Sequence, residues 1–276
     1  MDLSNIDELR GALQLAGLRP RKGLGQHFLV NRQSLEAVMA AGKLTPNDTV
    51  VEIGPGLGVM TAPLAERVKQ VVAVETDGVL VALLRRHLPK NVEIIQADIM
   101  RFNLNQLPAG YKVVANIPYY LTSAITRLLT EAENRPTVVS LLMQKEVAER
   151  ITAQPGKMSI LALSVQYYGQ PRLLETVERH KFWPPPKVDS AVLQIEMYDK
   201  PLFEADRSKL FHLIKAGFGE KRKMLKTSLA GGLNIEVSLS IELLWLASLD
   251  LTARAQELAL DDWRRLYNAA IKRLVL

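Results

Sequence analysis

Asn116 begins a run, Asn116-Ile117-Pro118-Tyr119-Tyr120, that combines hydrogen-bond acceptors with an aromatic ring. The Asn116 oxygen and a backbone carbonyl next to Pro118 are placed to accept both N–H groups of an exocyclic adenine amine. That amine is a poor nucleophile because its lone pair is delocalised, and the two contacts favour a pyramidal nitrogen with a directed lone pair. Tyr119 offers a face on which the base stacks. The run predicts alkylation of an adenine amine, although alone it also fits a strand-ending turn.

A second aromatic element is Phe182-Trp183-Pro184-Pro185-Pro186-Lys187-Val188-Asp189-Ser190. Consecutive prolines fix an extended backbone and hold a preceding ring rigidly. Phe182 is therefore predicted to contact the other face of the base, against the alternative of an aromatic packed under a loop. Trp183 is interpreted as packing only.

Three glycines, Gly54, Gly56 and Gly58, follow the apolar run Val50–Ile53. Glycines between a strand and a helix permit positive φ and close approach of a ligand to the backbone. Glu75 follows about 20 residues later, where an acid accepts both ribose hydroxyls of a nucleoside. Asp98 is positioned to accept from an adenine amine. Together they predict a site for an adenosine-containing ligand.

The spacing of the glycine loop distinguishes between two ligand classes. A dinucleotide fold favours G-x-G-x-x-G, whereas this loop reads Gly54-x-Gly56-x-Gly58, follows Glu52 and holds no basic residue. A phosphate-free, positively charged nucleoside such as S-adenosylmethionine fits better. The spacing argues against a nicotinamide-dependent oxidoreductase. The sequence also offers no residue that could act as the acid coupled to hydride transfer in such an enzyme.

Strands and helices alternate over the region that carries these residues. Nearly continuous apolar runs are typical of strands buried on both faces of a parallel sheet, and they predict strands at Thr49–Ile53, Gln70–Glu75, Val92–Gln96, Lys112–Asn116 and Val138–Met143. Helical spacing predicts helices at Thr61–Arg67, Asp77–Leu88 and Thr122–Glu133. The alternation indicates an α/β fold with a mostly parallel, doubly wound, Rossmann-like sheet.

The pattern changes towards the C-terminus. Ala191–Met197 is strand-like, and from Leu202 onward the sequence predicts helices only, with Gly231-Gly232 breaking two of them. Asp199-Lys200-Pro201 is the candidate boundary. We expect a catalytic domain over residues 1–200 and a small all-helical domain over 201–276.

Composition limits the remaining function classes. The 276 residues contain no Cys and four scattered His, which excludes disulfides and thiolate zinc sites, and we expect no metal. No apolar run is long enough to span a bilayer and no secretory leader is apparent, so a cytoplasmic protein without membrane contact is expected. The net charge of +6 permits an anionic partner.

Basic residues cluster in two places. The first cluster precedes the cofactor motif and consists of Arg19, Arg21 and Lys22. The second lies in the helical region, has Glu220 as its only acid, and consists of Lys215, Lys221, Arg222, Lys223 and Lys226. Such runs are usually a solvated face. In a protein that acts on RNA, phosphate binding becomes the favoured interpretation.

The combination of these motifs resembles the ribosomal RNA adenine dimethyltransferases, specifically the bacterial KsgA/RsmA branch, over nearly the full length. The matching segments are Gly25–Leu29, Glu52–Gly58, Glu75, Asp98, Asn116–Tyr120, Phe182–Ser190, Phe218–Leu229 and Arg254–Trp263. The resemblance implies a class I methyltransferase fold with S-adenosylmethionine as donor. It also implies dimethylation of two adjacent adenosines in the hairpin near the 3′ end of 16S rRNA, and a role in ribosome biogenesis.

The resemblance also assigns site residues. It implies cofactor contacts from Gln26, His27, Leu29, Gly54, Gly56, Glu75, Asp98 and Asn116, and target-base contacts from Asn116, Pro118, Tyr119 and Phe182. The basic character of the chain, and not the resemblance, predicts the RNA contacts, which are Arg21, Lys22, Lys187, Lys221, Arg222 and Lys223. Two positions depart from the family: His27 stands where Asn is frequent, and Ala97, not Gly, precedes Asp98.

Two alternatives stay open from the sequence. One is a related methyltransferase that acts on large-subunit RNA or DNA adenine. The other is an assembly factor that binds immature ribosomal subunits, with methylation secondary. We expect a monomer.

Overall fold

The computed structural model of the protein describes residues 3–20, 26–220 and 223–276. The chain divides into two compact units, one of residues 1–149 with 170–199 and the other of 150–169 with 200–276. The break at 199/200 lies at the predicted boundary, but Arg150–Gly169 differs from the predicted single cut. It groups with the second unit because Tyr167 packs edge-on against Phe203, with ring centroids 5.1 Å apart, and its hydroxyl donates to the Phe203 carbonyl.

The first unit is built on a central sheet. Among the described residues this sheet has seven strands in the order β4-β3-β2-β5-β6-β9-β7. The strands are β2 (Thr49–Ile53), β3 (Gln70–Glu75), β4 (Val92–Gln96), β5 (Lys112–Asn116), β6 (Val138–Gln144), β7 (Gly169–Val177) and β9 (Ser190–Met197), with β1 (Phe28–Leu29) and β8 (Phe182–Trp183) forming a separate antiparallel pair. The five predicted strands are confirmed.

The strand directions explain where a ligand binds. Strands β2 to β6 pair in parallel and β9 pairs antiparallel with β6. The chain order reverses at β2, which has β3 on one side and β5 on the other. In doubly wound sheets the crevice for a ligand opens at such a switch point, beyond the carboxyl ends of the strands.

Helices flank the sheet and make up most of the second unit. Their bounds are α1 (Ile6–Leu15), α2 (Arg32–Ala41), α3 (Thr61–Ala65), α4 (Gly78–His87), α5 (Thr122–Glu131), α6 (Lys145–Ile151), α7 (Ile160–Gln166), α8 (Arg207–Phe218), α9 (Leu225–Leu233), α10 (Val237–Leu246) and α11 (Leu260–Lys272). The three helices predicted between the strands are confirmed with ends shifted by up to two residues. Short 3₁₀ helices span Ile99–Arg101, Leu104–Gln106, Tyr119–Leu121, Arg179–Lys181 and Ala255–Glu257.

Burial explains the continuous apolar character of the strands. Val50, Val71 and Val114 are fully buried and belong to one core cluster with Val38 of α2 and Leu64 of α3. Val51 and Val113, the neighbours of Val50 and Val114 in their strands, point to the opposite face and are also fully buried, so both faces of the sheet are covered, as parallel strands require.

The predicted break at Gly231-Gly232 is wrong. Helix α9 runs through both glycines and ends at Leu233, followed by the C-cap residue Asn234 with φ 54°. A Cβ at Gly232 would lie 2.6 Å from Cα and Cβ of Ala216 in α8. The glycine therefore allows α8 and α9 to approach closely instead of ending the helix.

No single helix of the described chain is long and apolar enough to cross a membrane. Helices α9 and α10 reach the required length and apolar composition only when they are taken together, and they are bent by 120° relative to each other.

Candidate active site

A cavity of about 330 Å³ lies beyond the carboxyl ends of β2, β3, β4 and β5. Its volume is within the range of small-molecule sites. The cavity brings together ten predicted site residues: Gln26, His27, Leu29, Gly54, Gly56, Glu75, Asp98, Asn116, Pro118 and Tyr119. Gln26 and Tyr119 are 93 positions apart in sequence, and folding of the sheet brings the whole set to the carboxyl ends of its strands.

The glycine loop has the predicted backbone. Gly54, Gly56 and Gly58 have φ of 67°, 61° and 84°, a region that L side chains rarely adopt. A Cβ at Gly56 would lie 3.0 Å from the Phe28 ring, whereas a Cβ at Gly54 would meet nothing within 4 Å. Gly54 therefore leaves open space on the cavity wall.

Glu75 is held by backbone donors at the end of β3. Its Oε1 accepts from the amides of Thr76 and Asp77 at 2.8 and 2.9 Å, and its Oε2 accepts from the Gly56 amide at 3.3 Å. The Oε2 contact is long, so this oxygen retains capacity for ligand hydroxyls. Asp98 accepts from the Met100 amide at 2.9 Å and thereby caps the 3₁₀ helix after β4.

Glu52 is a site residue to which the sequence analysis gave no role. It lines the cavity from β2, is 2% exposed, and its Oε2 has no hydrogen-bond partner among the described residues. Burial, reinforced by the negative charge of Glu75, raises the pKa of Glu52 to about 8. The available signal was an acid inside the otherwise apolar strand Val50–Ile53. A buried carboxyl with an unpartnered oxygen beside a cavity favours a cationic ligand.

The Asn116 amide is oriented by the backbone of His27. Asn116 Nδ2 donates to the His27 carbonyl at 3.0 Å. Asn116 Oδ1 is thereby left as the acceptor at the end of β5, where the side chain lines the cavity.

His27 and Tyr119 form one aromatic wall. Their rings stack with centroids 5.7 Å apart and an interplanar angle of 24°. His27 Nδ1 lies 2.6 Å from the Pro184 carbonyl and donates to it, while the Tyr119 hydroxyl lies 2.6 Å from Ser190 Oγ. Burial raises the pKa of Tyr119, so its hydroxyl stays protonated. Both rings are therefore fixed in place.

Phe182 departs from its predicted position. Its ring is 2% exposed, pairs with Leu29 across β1 and β8, and belongs to the hydrophobic core instead of the cavity lining. Burial of the aromatic ring stabilises this strand pair, so its face is not presented to a base. Trp183 packs as predicted, with the Arg10 guanidinium 5.3 Å from its ring centroid.

Two of the predicted RNA-binding residues are described by the structure, and neither of them lines the cavity. Lys187 and Lys223 are exposed. Arg21, Lys22, Lys221 and Arg222 lie outside the described residues. Where the chain is described, no group of three or more Asp, Glu or His side chains is arranged to hold a metal ion.

The cavity is thus lined by acidic side chains and glycines, and it lies beside the oriented Asn116 amide and the stacked rings of His27 and Tyr119. A family model described as ribosomal RNA adenine dimethylase matches residues 17–272. The chain belongs to this family.

Relatives of known name agree with this dimethylase assignment. The chain is 41% identical over 255 residues to the ribosomal RNA small subunit methyltransferase A of Dehalococcoides mccartyi strain BAV1, covering 90% of this chain and 88% of the relative.

Two solved structures share the fold of this chain. The 23S rRNA methyltransferase ErmE superposes with a TM-score of 0.71 at 27% identity, covering 88% of this chain and 98% of that one. A dimethyladenosine transferase from Plasmodium falciparum superposes with a TM-score of 0.76 at 24% identity, covering 90% and 98%, and shows the shared fold.

These comparisons confirm the predicted family and the class I methyltransferase fold with C-terminal helices. They also confirm the predicted enzyme class, an S-adenosylmethionine-dependent rRNA adenine methyltransferase. The oxidoreductase alternative is excluded by membership of the dimethylase family.

Proposed function

We propose that this chain dimethylates the exocyclic amines of two adjacent adenosines in the hairpin near the 3′ end of 16S rRNA, using S-adenosylmethionine. The small-subunit target is supported by the name of the Dehalococcoides relative, which covers most of this chain. The relative is more similar in sequence than the 23S rRNA methyltransferase, at 41% against 27% identity. We place the reaction in the cytoplasm, by a monomer acting on the small ribosomal subunit during its biogenesis.

The orientation of Asn116 carries the proposal. Because Nδ2 donates to the His27 carbonyl at 3.0 Å, Oδ1 accepts one N–H of the target amine. The Ile117 carbonyl, next to Pro118 on the cavity wall, is the candidate second acceptor. Accepting both protons localises the nitrogen lone pair for attack, and fixed acceptors of this kind need no reorganisation during the reaction.

The residues fit S-adenosylmethionine as the donor. Glu75 Oε2 accepts ribose hydroxyls, and Asp98 accepts from the adenine amine. Glu52, whose Oε2 has no partner among the described residues, offsets positive charge. The absence of a side chain at Gly54 permits the ligand to approach the backbone closely. Gln26, His27 and Leu29 line the same cavity. When bound, the cofactor supplies an electrophilic methyl group.

Tyr119 holds the target base. Its ring is fixed by His27 on one side and by the Ser190 hydroxyl at its tip. A fixed aromatic face stacks on an extruded base at low entropic cost. The buried Phe182 has no part in this arrangement.

Labelled S-adenosylmethionine incubated with small ribosomal subunits that lack the modification tests the proposed function. Nucleoside analysis should recover the label as dimethyladenosine from the 3′-terminal hairpin of 16S rRNA. Label found only in large-subunit RNA, when both subunits are offered, would contradict it.

A further inference from the structure

Tyr120 is an exposed aromatic residue on the wall of the candidate active site. It lines the cavity, yet it is 64% exposed, while its neighbour Tyr119 is half-buried and hydrogen-bonded. The exposed fraction places the Tyr120 ring at the solvent side of the cavity. Tyr119 and Tyr120 therefore face different environments.

The backbone that carries Tyr120 is fixed. It lies in the 3₁₀ helix Tyr119–Leu121, where the Leu121 amide donates to the Pro118 carbonyl at 3.0 Å. The Thr122 hydroxyl donates to the Tyr119 carbonyl at 2.9 Å. An aromatic side chain on such a turn has two rotatable bonds and loses little entropy when a planar group stacks on it.

A second exposed apolar side chain lines the same cavity. Met100, 37% exposed, lies in the 3₁₀ helix that Asp98 caps. Tyr120 and Met100 are thus two exposed, polarizable side chains on the lining of one cavity.

We propose that Tyr120, assisted by Met100, stacks on the nucleotide adjacent to the adenosine that occupies the cavity. The inference rests on the proposed function, in which the two substrate adenosines are neighbours. When one base enters the cavity, the next base lies one nucleotide along the strand, at the opening and not inside it. Stacking on an aromatic face does not read base edges, so Tyr120 supports binding of whichever adenosine is outside.

Tyr120→Ala tests the stacking, with Tyr120→Phe as the matched control that keeps the ring and removes the hydroxyl. Removing a base-stacking aromatic is expected to raise KM for unmodified small subunits by at least about fivefold, with a smaller effect on kcat. Tyr120→Phe should stay within about twofold of the unsubstituted protein. Affinity for S-adenosylhomocysteine, measured by calorimetry, should be unchanged in both variants.

A binding readout independent of methylation completes the test. A short RNA with 2-aminopurine next to the target adenosine should lose fluorescence on binding the unsubstituted protein and Tyr120→Phe, but less with Tyr120→Ala. Equal KM and equal quenching for Tyr120→Ala and the unsubstituted protein would overturn the stacking role. So would equal impairment of both variants. Absence of methylation by the unsubstituted protein would instead count against the proposed function.

Discussion

At the level of single residues, Glu52 links the cofactor site to pH. Its pKa of about 8 means that the carboxyl is neutral at lower pH in the free protein, because burial disfavours the charge. A positively charged ligand favours the ionised form, so binding releases a proton. Affinity for S-adenosylmethionine should therefore increase with pH by up to about tenfold per unit.

Calorimetric titration between about pH 5.5 and 6.5 checks this expectation, since an ordinary α-amino group, with a pKa of about 7.7–8.0, stays protonated there. Glu52→Gln, which preserves the shape of the side chain and removes the titration, is the control and should give a flatter profile. The account of Glu52 fails if the unsubstituted protein and Glu52→Gln show the same pH dependence.

At the level of elements, substitutions of Gly231 and Gly232 in α9 test whether helix packing or helix propensity determines the effect of each glycine on stability. Gly232→Ala places a Cβ 2.6 Å from Ala216 and should destabilise the protein by about 1–3 kcal/mol through overpacking. Gly231→Ala meets only Glu220 Oε1, at 3.7 Å, and should be neutral or stabilising by up to about 1 kcal/mol. Denaturant unfolding measures both. Equal effects of the two substitutions would contradict the close approach of α8 and α9.

The contrast between predicted and unpredicted elements has a physical cause. Strands β2, β3, β5 and β6 were predictable because burial on both faces demands continuous apolar residues. Strand β7 was not, since Pro171 and the adjacent Leu173 and Leu174 give no alternation of apolar and polar residues, and its formation depends on pairing with β9. The two-residue strands β1 and β8 likewise exist only through their mutual pairing.

The same cause divides the site residues. The glycine loop, Glu75 and Asn116 were predictable because each follows or ends a strand, and parallel strands bring their carboxyl ends to one edge. The burial of Phe182 was not, because it depends on the strand pair with Leu29. The partners of Gly232 and Asn116 are equally invisible in sequence, since Ala216 and the His27 carbonyl are brought near only by folding.

At the level of the whole molecule, the net charge of +6 should act through particular lysines and not as a uniform field. Lys223 is exposed in the second unit, within the predicted RNA-binding cluster. Lys223→Glu should weaken binding of small-subunit RNA and lower the slope of log affinity against log salt by about one. Affinity for S-adenosylmethionine should not change.

Lys69→Glu is the matched control, because it makes the same charge change at an exposed site before β3, opposite the cavity edge. Its salt slope should equal that of the unsubstituted protein. If Lys223→Glu and Lys69→Glu reduce the slope equally, the effect belongs to net charge and Lys223 leaves the RNA-binding surface.

The most direct test of the central claim is single-turnover methyl transfer to unmodified small subunits by Asn116→Ala, at saturating S-adenosylmethionine. Removing an oriented acceptor at the reacting nitrogen should slow transfer by about 100-fold or more, the size seen when a fixed polar contact is lost. Asn47→Ala, at an exposed position before β2, should react at the unsubstituted rate. Transfer by Asn116→Ala at the rate of Asn47→Ala would contradict the proposal that Asn116 orients the target amine.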